Sequence, residues 1–309
     1  MDGGKPARRR WLVRGLLALG VALLLLWALI PAVRGAALLA NRSARAAPNP
    51  RSAGLPVREV HFSASDGAAL AGWLAMASPD APTVILVHGF KATRRSMLPW
   101  AHYLFAAGYN VLLYDSRGCG ASAGWGIGAG ASEPADVIGA TRYLQALPTL
   151  RDKRFAALGV SLGAGDVILA AARDSSLRAV IADSPWADEQ PQLARMGALS
   201  LGPLAIPLLP YEPALVDALV GVRLEDARPA AVAGSIAPRA LMIITSADDA
   251  NATTAPADQQ RIFAAAGQPR DHWIAPSGGH AAAAYAHPIE YEARTLAFLA
   301  QYLSAPAAA

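Results

Sequence analysis

Cysteine is nearly missing: one residue, Cys119, in 309. A lone thiol forms no disulfide within the chain and supplies neither a cysteine zinc site nor a CxxC redox pair. Charged residues are also scarce, at 16%, but 54% of the chain is hydrophobic, so intrinsic disorder is excluded as a general description. The six histidines are scattered without ligand spacing, so no metal and no cofactor is expected. No internal repeat is found. Residues 1–51 hold nine Lys or Arg against Asp2 alone, a net +8; the whole chain is +4, which leaves −4 for the other 258 residues. A body of that sign lacks the clustered cations that neutralise phosphate backbones, so nucleic acid is not an expected partner.

What the chain has in excess lies at its start. From Gly15 to Val33 nineteen residues carry no charge, and at 1.5 Å per residue a helix of that length spans roughly 28 Å, close to a bilayer core. This predicts a transmembrane helix. The core exceeds the roughly 7–15 apolar residues of a cleaved signal, and the small-residue site Ala44-Arg45-Ala46 lies well downstream, so an uncleaved signal anchor is expected. Five Lys or Arg precede the core and four follow it, which places the amino terminus in the cytoplasm and the body outside it. The expected organisation is a basic terminus and anchor over 1–34, a linker over 35–56, and a folded body over 57–309. The expected localisation is the membrane, with a single pass.

In the body, short apolar runs alternate with turn residues and Ala/Leu-rich segments. Strands are predicted near Val57–Ala64, Ala69–Ala77, Thr83–Val87, Asn110–Tyr114, Arg154–Val160, Ala179–Ala182, Ala240–Thr245 and Asp271–Ile274. The first two are joined by Ser65-Asp66-Gly67, a hairpin signal. Later ones are separated by helical stretches such as Met97–Ala107, Glu133–Leu147 and Leu162–Ala172, the pattern of parallel βαβ units. Between the sixth and seventh strands prolines 203, 207, 210 and 213 interrupt an apolar stretch. We read a small lid there, over about 187–236, against the plainer reading of an irregular helical patch of core.

The sharpest chemical signal is Gly159-Val160-Ser161-Leu162-Gly163, set between a strand and a helix. A nucleophile on such a turn needs a strained backbone, and flanking glycines make room for it. Serine needs a base, and the base needs an orienting carboxylate. Of the histidines after Ser161, His272 opens a strand and His287 precedes Pro288. His280 follows Pro276-Ser277-Gly278-Gly279, a strand-end loop that can reach the serine. For the carboxylate, the strand ending at Thr245 runs into Ser246-Ala247-Asp248-Asp249, and both aspartates are suitably placed. The oxyanion donors expected are the N–H groups of Leu162, just after the nucleophile, and Phe90, in the loop Val87-His88-Gly89-Phe90. His88 precedes the serine and is expected to shape that loop by hydrogen bonding.

These pieces, with Tyr114-Asp115-Ser116-Arg117-Gly118-Cys119-Gly120-Ala121-Ser122, Glu133, Asp136 and Asp183-Ser184-Pro185-Trp186, make the chain from about Val57 to Leu303 resemble an α/β-hydrolase. The likeness is to membrane-anchored bacterial members similar to esterases and to serine-aminopeptidase-like or acyl-peptidase-like hydrolases. It implies a mostly parallel eight-stranded sheet flanked by helices, with Ser161 as nucleophile, His280 as base and an aspartate after the seventh strand. In relatives that aspartate stands three residues after a glycine. Ser246 replaces the glycine here and Asp249 keeps the spacing, while the proline that often follows is displaced to Pro256, as an insertion of a few residues would do. Asp115 and Arg117 are assigned a structural part.

The expected activity is hydrolysis of an ester, thioester or amide of a small-molecule acyl substrate through an acyl-enzyme. The alternatives are a serine peptidase of the same fold and a non-catalytic membrane-bound binding protein. A dinucleotide site at Gly118–Ala123, which fits GxGxxA, fails on context, because the helix does not open until Glu133.

Overall fold

The computed structural model describes residues 10–25, 39–41, 49–124, 126–188, 199–201, 204–206, 217–218, 221, 223–251 and 253–304. Residues 10–25 form a helix, α1, exposed along its length. The expected transmembrane helix over 15–33 is corrected here: among the described residues no helix is long and apolar enough to cross a membrane. The sixteen residues of α1 span about 24 Å, short of the roughly 30 Å hydrocarbon core. The remainder of the expected span, 26–33, lies outside the described residues.

Eight strands form one sheet in the order β1-β2-β4-β3-β5-β6-β9-β10. They are β1 (Val57–Ser63), β2 (Ala69–Ala75), β3 (Thr83–Val87), β4 (Asn110–Tyr114), β5 (Phe155–Val160), β6 (Leu177–Asp183), β9 (Ala240–Ser246) and β10 (Arg270–Ala275). The hairpin expected at Asp66-Gly67 joins β1 to β2, with Gly67 at φ 96° and the Asp66 carboxylate accepting from Ala68 N–H. From β4 to β10 the strands run parallel. The apolar run of β3 is buried throughout because successive residues serve opposite faces: Ile85 and Val87 join one core cluster, Val84 and Leu86 the other.

The first cluster takes Val137 and Leu144 from α3 (Pro134–Ala146), Val167 and Ile168 from α4 (Leu162–Arg173) and Ile262 from α5 (Pro256–Ala265). The second takes Trp100 and Leu104 from α2 (Leu98–Ala106) and Tyr291, Phe298 and Leu299 from α6 (Pro288–Leu303). Helices α3, α5 and α6 each open on proline, whose missing N–H would have had no helical partner there.

Within the expected lid, β7 (Leu199–Leu201) and β8 (Leu204–Ile206) pair antiparallel. Residues 189–198, 202–203, 207–216, 219–220 and 222 lie outside the described residues. Ala233 and Ile236, at the far end of the same stretch, belong to the first core cluster. Residues 39–41, in the expected linker, rest on the body, with Leu39 and Asn41 buried.

What matters for the site is register. Val87 lies beside Gly159, Val160 beside Asp183, Asp183 beside Ile244 and Ser246 beside Ala275. Strand ends far apart in the chain are thereby brought to one edge of the sheet.

Candidate active site

Ser161 leaves β5 at that edge with φ 57° and ψ −116°, a left-handed backbone that side-chain-bearing residues seldom adopt. The turn is closed by glycine contacts. A Cβ on Gly159 would lie 2.1 Å from the Gly163 carbonyl oxygen, and one on Gly163 would lie 2.5 Å from that of Val87. Helix α4 then starts at Leu162, directly after the serine.

His280 reaches Ser161 from the loop after β10, with Nε2 2.8 Å from Oγ. Its Nδ1 stands 3.1 Å from Asp249 Oδ2. A carboxylate only accepts, so Nδ1 carries the proton and bare Nε2 faces the serine hydroxyl. Asp249 has no side-chain exposure, and its Oδ1 accepts from Asn251 N–H at 2.9 Å. Asp248 turns elsewhere. Its carboxylate accepts from Gly279 N–H at 2.8 Å and is held below its ordinary pKa chiefly by that bond. The structure therefore brings Asp249, and not Asp248, to His280. His272 bonds Thr245 and lies against the Phe263 ring, and His287 bonds Ser277.

The loop after β3 is set by His88. Ser116 N–H donates to its Nε2 at 3.0 Å, so the ring proton sits on Nδ1, which donates to the Gly89 carbonyl at 2.8 Å. Full burial favours the neutral ring. The carbonyl and the following N–H of a trans peptide point opposite ways, so gripping Gly89 turns Phe90 N–H away from His88. Asp115 and Arg117 brace the neighbouring loops: Asp115 takes bonds from Arg94 and Ala121, and Arg117 pairs with Asp136 and Asp66.

Two groups around the histidine escaped sequence reasoning. Thr254 Oγ1 lies 2.8 Å from His280 Nδ1 and donates to Asp249 Oδ2 at 3.3 Å, bridging the pair. It lies between Asp249 and Pro256, where the resemblance implies extra residues, and the displaced proline was the available clue. The other group is a relay behind the His280 loop. Trp100 Nε1–H donates to Tyr291 Oη (2.9 Å), Tyr291 donates to Asp183 Oδ2 (3.0 Å), Ser184 donates to Asp183 Oδ1 (3.1 Å), and Ala281 N–H donates to Ser184 Oγ (3.1 Å). Asp183-Ser184 stood out only as part of the resemblance.

Burial pushes Asp183 up to about 6 from 3.8. The folded protein thus holds this proton more tightly than the unfolded chain. The stabilisation is complete below the unfolded pKa and is lost as pH rises through about 6. In urea titrations, wild type should lose up to about 3 kcal/mol relative to Asp183→Asn between about pH 4 and about pH 7. Parallel stability curves would refute this.

Ser161 and His280 open on a cavity of about 610 Å³, whose lining includes Phe90, Leu162, Met97, Trp100, Trp186 and Tyr285. Trp186 fits where Gly130 and Gly165 leave room, with its Nε1–H donating to the Leu162 carbonyl at 3.1 Å. Among the described residues no group of three or more His, Cys, Asp or Glu is arranged to hold a metal ion.

A mostly parallel eight-stranded sheet flanked by helices, with a strained serine between strand and helix at its carboxyl edge, defines the α/β-hydrolase fold, and the chain has that fold. Residues 50–216, more than half the chain, match the model of the X-Pro dipeptidyl-peptidase (S15 family), and the chain belongs to that family. Among curated proteins it is similar to the polyketide transferase grgF of a Penicillium species, at 34% identity over 43% of this chain and 47% of that one. It is also similar to the thiohydrolase aneE of Aspergillus aculeatus, at 32% identity over 41% of each chain. These matches span under half of either relative. Among solved structures, an esterase of Pyrococcus furiosus superposes with TM-score 0.67 and 21% identity, covering 85% of this chain and all of that one. The α/β-hydrolase GrgF superposes with TM-score 0.63 and 25% identity over 80% and 99%.

Proposed function

We propose that the protein is a serine hydrolase that cleaves carboxylic esters through an acyl-enzyme on Ser161. The carrying observation is the continuous line from Asp249 through His280 to Ser161 Oγ, opening on a largely apolar cavity. His280 Nε2 takes the hydroxyl proton as Oγ adds to the ester carbonyl, and Asp249 stabilises the imidazolium that forms. The N–H groups of Phe90 and Leu162 receive the oxyanion. Collapse returns the proton through His280 to the departing alcohol and leaves the acyl group on Ser161. Water then repeats the cycle and releases the acid.

The family name and the thiohydrolase relative raise peptides and thioesters as substrates, and both share this oxyanion chemistry. A peptidase acting at a free amino terminus needs a carboxylate to hold that ammonium. Among the described lining residues of the cavity there is none, which favours the ester. The test pairs a fluorophosphonate probe with two substrate sets. Expected are labelling at Ser161 and faster hydrolysis of p-nitrophenyl acyl esters than of aminoacyl-prolyl anilides. Faster anilide cleavage would make the protein a peptidase, and folded protein that resists the probe would make it a binding protein.

A further inference from the structure

We propose that Leu39, from the segment ahead of the hydrolase body, forms the end wall of the acyl site and limits the length of the acyl chain it accepts. The proposal builds on the ester-hydrolase reading and adds the substrate class: linear aliphatic acyl esters of a bounded length.

Leu39 is 1% exposed and is also a lining residue of the Ser161 cavity. Its position is built. The Leu39 carbonyl accepts from Ile127 N–H at 2.9 Å, Ala40 bridges to Gly126, and Asn41 Nδ2 donates to the buried Cys119 Sγ at 3.3 Å. Gly126 carries no side chain where a Cβ would stand 2.9 Å from the Leu39 carbonyl oxygen. The loop on which Leu39 rests is itself fixed by Glu133, fully buried, whose carboxylate accepts from Gly128 N–H at 2.5 Å and Gly130 N–H at 2.9 Å. Ala129, between those glycines, lines the same cavity.

Chemistry assigns this wall to the acyl side. The leaving alcohol takes its proton from His280, so it departs past the His280 loop, where Ala281, Tyr285 and Trp100 stand, Tyr285 packing edge-on against Trp100. The acyl group stays on Ser161 and extends the other way, past Leu162 and Trp186 toward Ala129 and Leu39.

Each methylene that gains an apolar wall strengthens binding about four-fold. Replacing Leu39 by alanine removes three carbons, so for p-nitrophenyl acyl esters the decanoate-to-butyrate ratio of kcat/KM should rise about ten-fold or more. Leu39→Phe should lower the same ratio, which keeps the test decisive if the alanine variant does not fold. An unchanged ratio in a folded variant overturns the proposal. So does a shift that appears instead with n-alkyl acetates, in which only the alcohol varies. The same wall can be read without chemistry by titrating linear carboxylic acids into Ser161→Ala protein: longer acids should gain affinity when Leu39→Ala is added. If that gain appears while no ester is hydrolysed, the ester-hydrolase reading fails and the wall stands; if esters are hydrolysed and the gain is missing, the wall fails alone.

Discussion

Ser161→Ala should lower ester hydrolysis by about five orders of magnitude or more while leaving the fold intact. The substitution deletes only Oγ, whose hydrogen bond is to His280. The elbow is closed by backbone contacts of Gly159 and Gly163, and these survive. Turnover of a p-nitrophenyl ester, with circular dichroism as the control for folding, checks both halves. Near-normal turnover in folded protein would remove Ser161 from the mechanism.

Asp249→Asn should cost about three to four orders of magnitude, and Asp248→Asn less than about ten-fold. The asymmetry is a matter of protons. Asp249 fixes the His280 proton on Nδ1 and leaves Nε2 free to accept from Ser161. An asparagine can turn its NH2 toward Nδ1, which moves the ring proton to Nε2, and the base is then occupied. Asp248 makes its bond to the Gly279 backbone, so its loss loosens a loop without altering the imidazole. Steady-state kinetics on the two variants decides the matter, and the opposite ranking would refute the assignment.

Much of the frame was legible because it is written in short-range signals. Apolar runs such as those of β3 and β9, the Asp66-Gly67 turn and the glycines around Ser161 each act over a few residues, and those are the distances that a pattern in a chain can express. The order of serine, aspartate and histidine came instead from the resemblance. Choosing Asp249 over Asp248 from spacing required a resemblance, since both carboxylates follow one strand, and the side chains separate only in three dimensions. Thr254, the Trp100–Tyr291–Asp183–Ser184 relay and Leu39 were not legible. Tyr291 and Asp183 are 108 positions apart, and no local preference encodes such a pair. The membrane span was misjudged for a related reason. Hydropathy reports how a segment partitions between solvents, but a span also needs a helix of sufficient length, and among the described residues none is long and apolar enough.

The level edge of the parallel strands has a consequence for how such a protein can change. The elbow, the His88 loop, the Asp183 loop, the Asp249 loop and the His280 loop each follow a different strand, β5, β3, β6, β9 and β10. Each can lengthen, shorten or exchange residues while the sheet beneath it keeps its pairing. The stretch that carries Thr254 illustrates this: it sets a hydroxyl beside Asp249 while the pairing of β9 with β6 and β10 stays regular. Selectivity is thus modular, able to drift loop by loop while the hydrogen-bonded line to Ser161 remains in place.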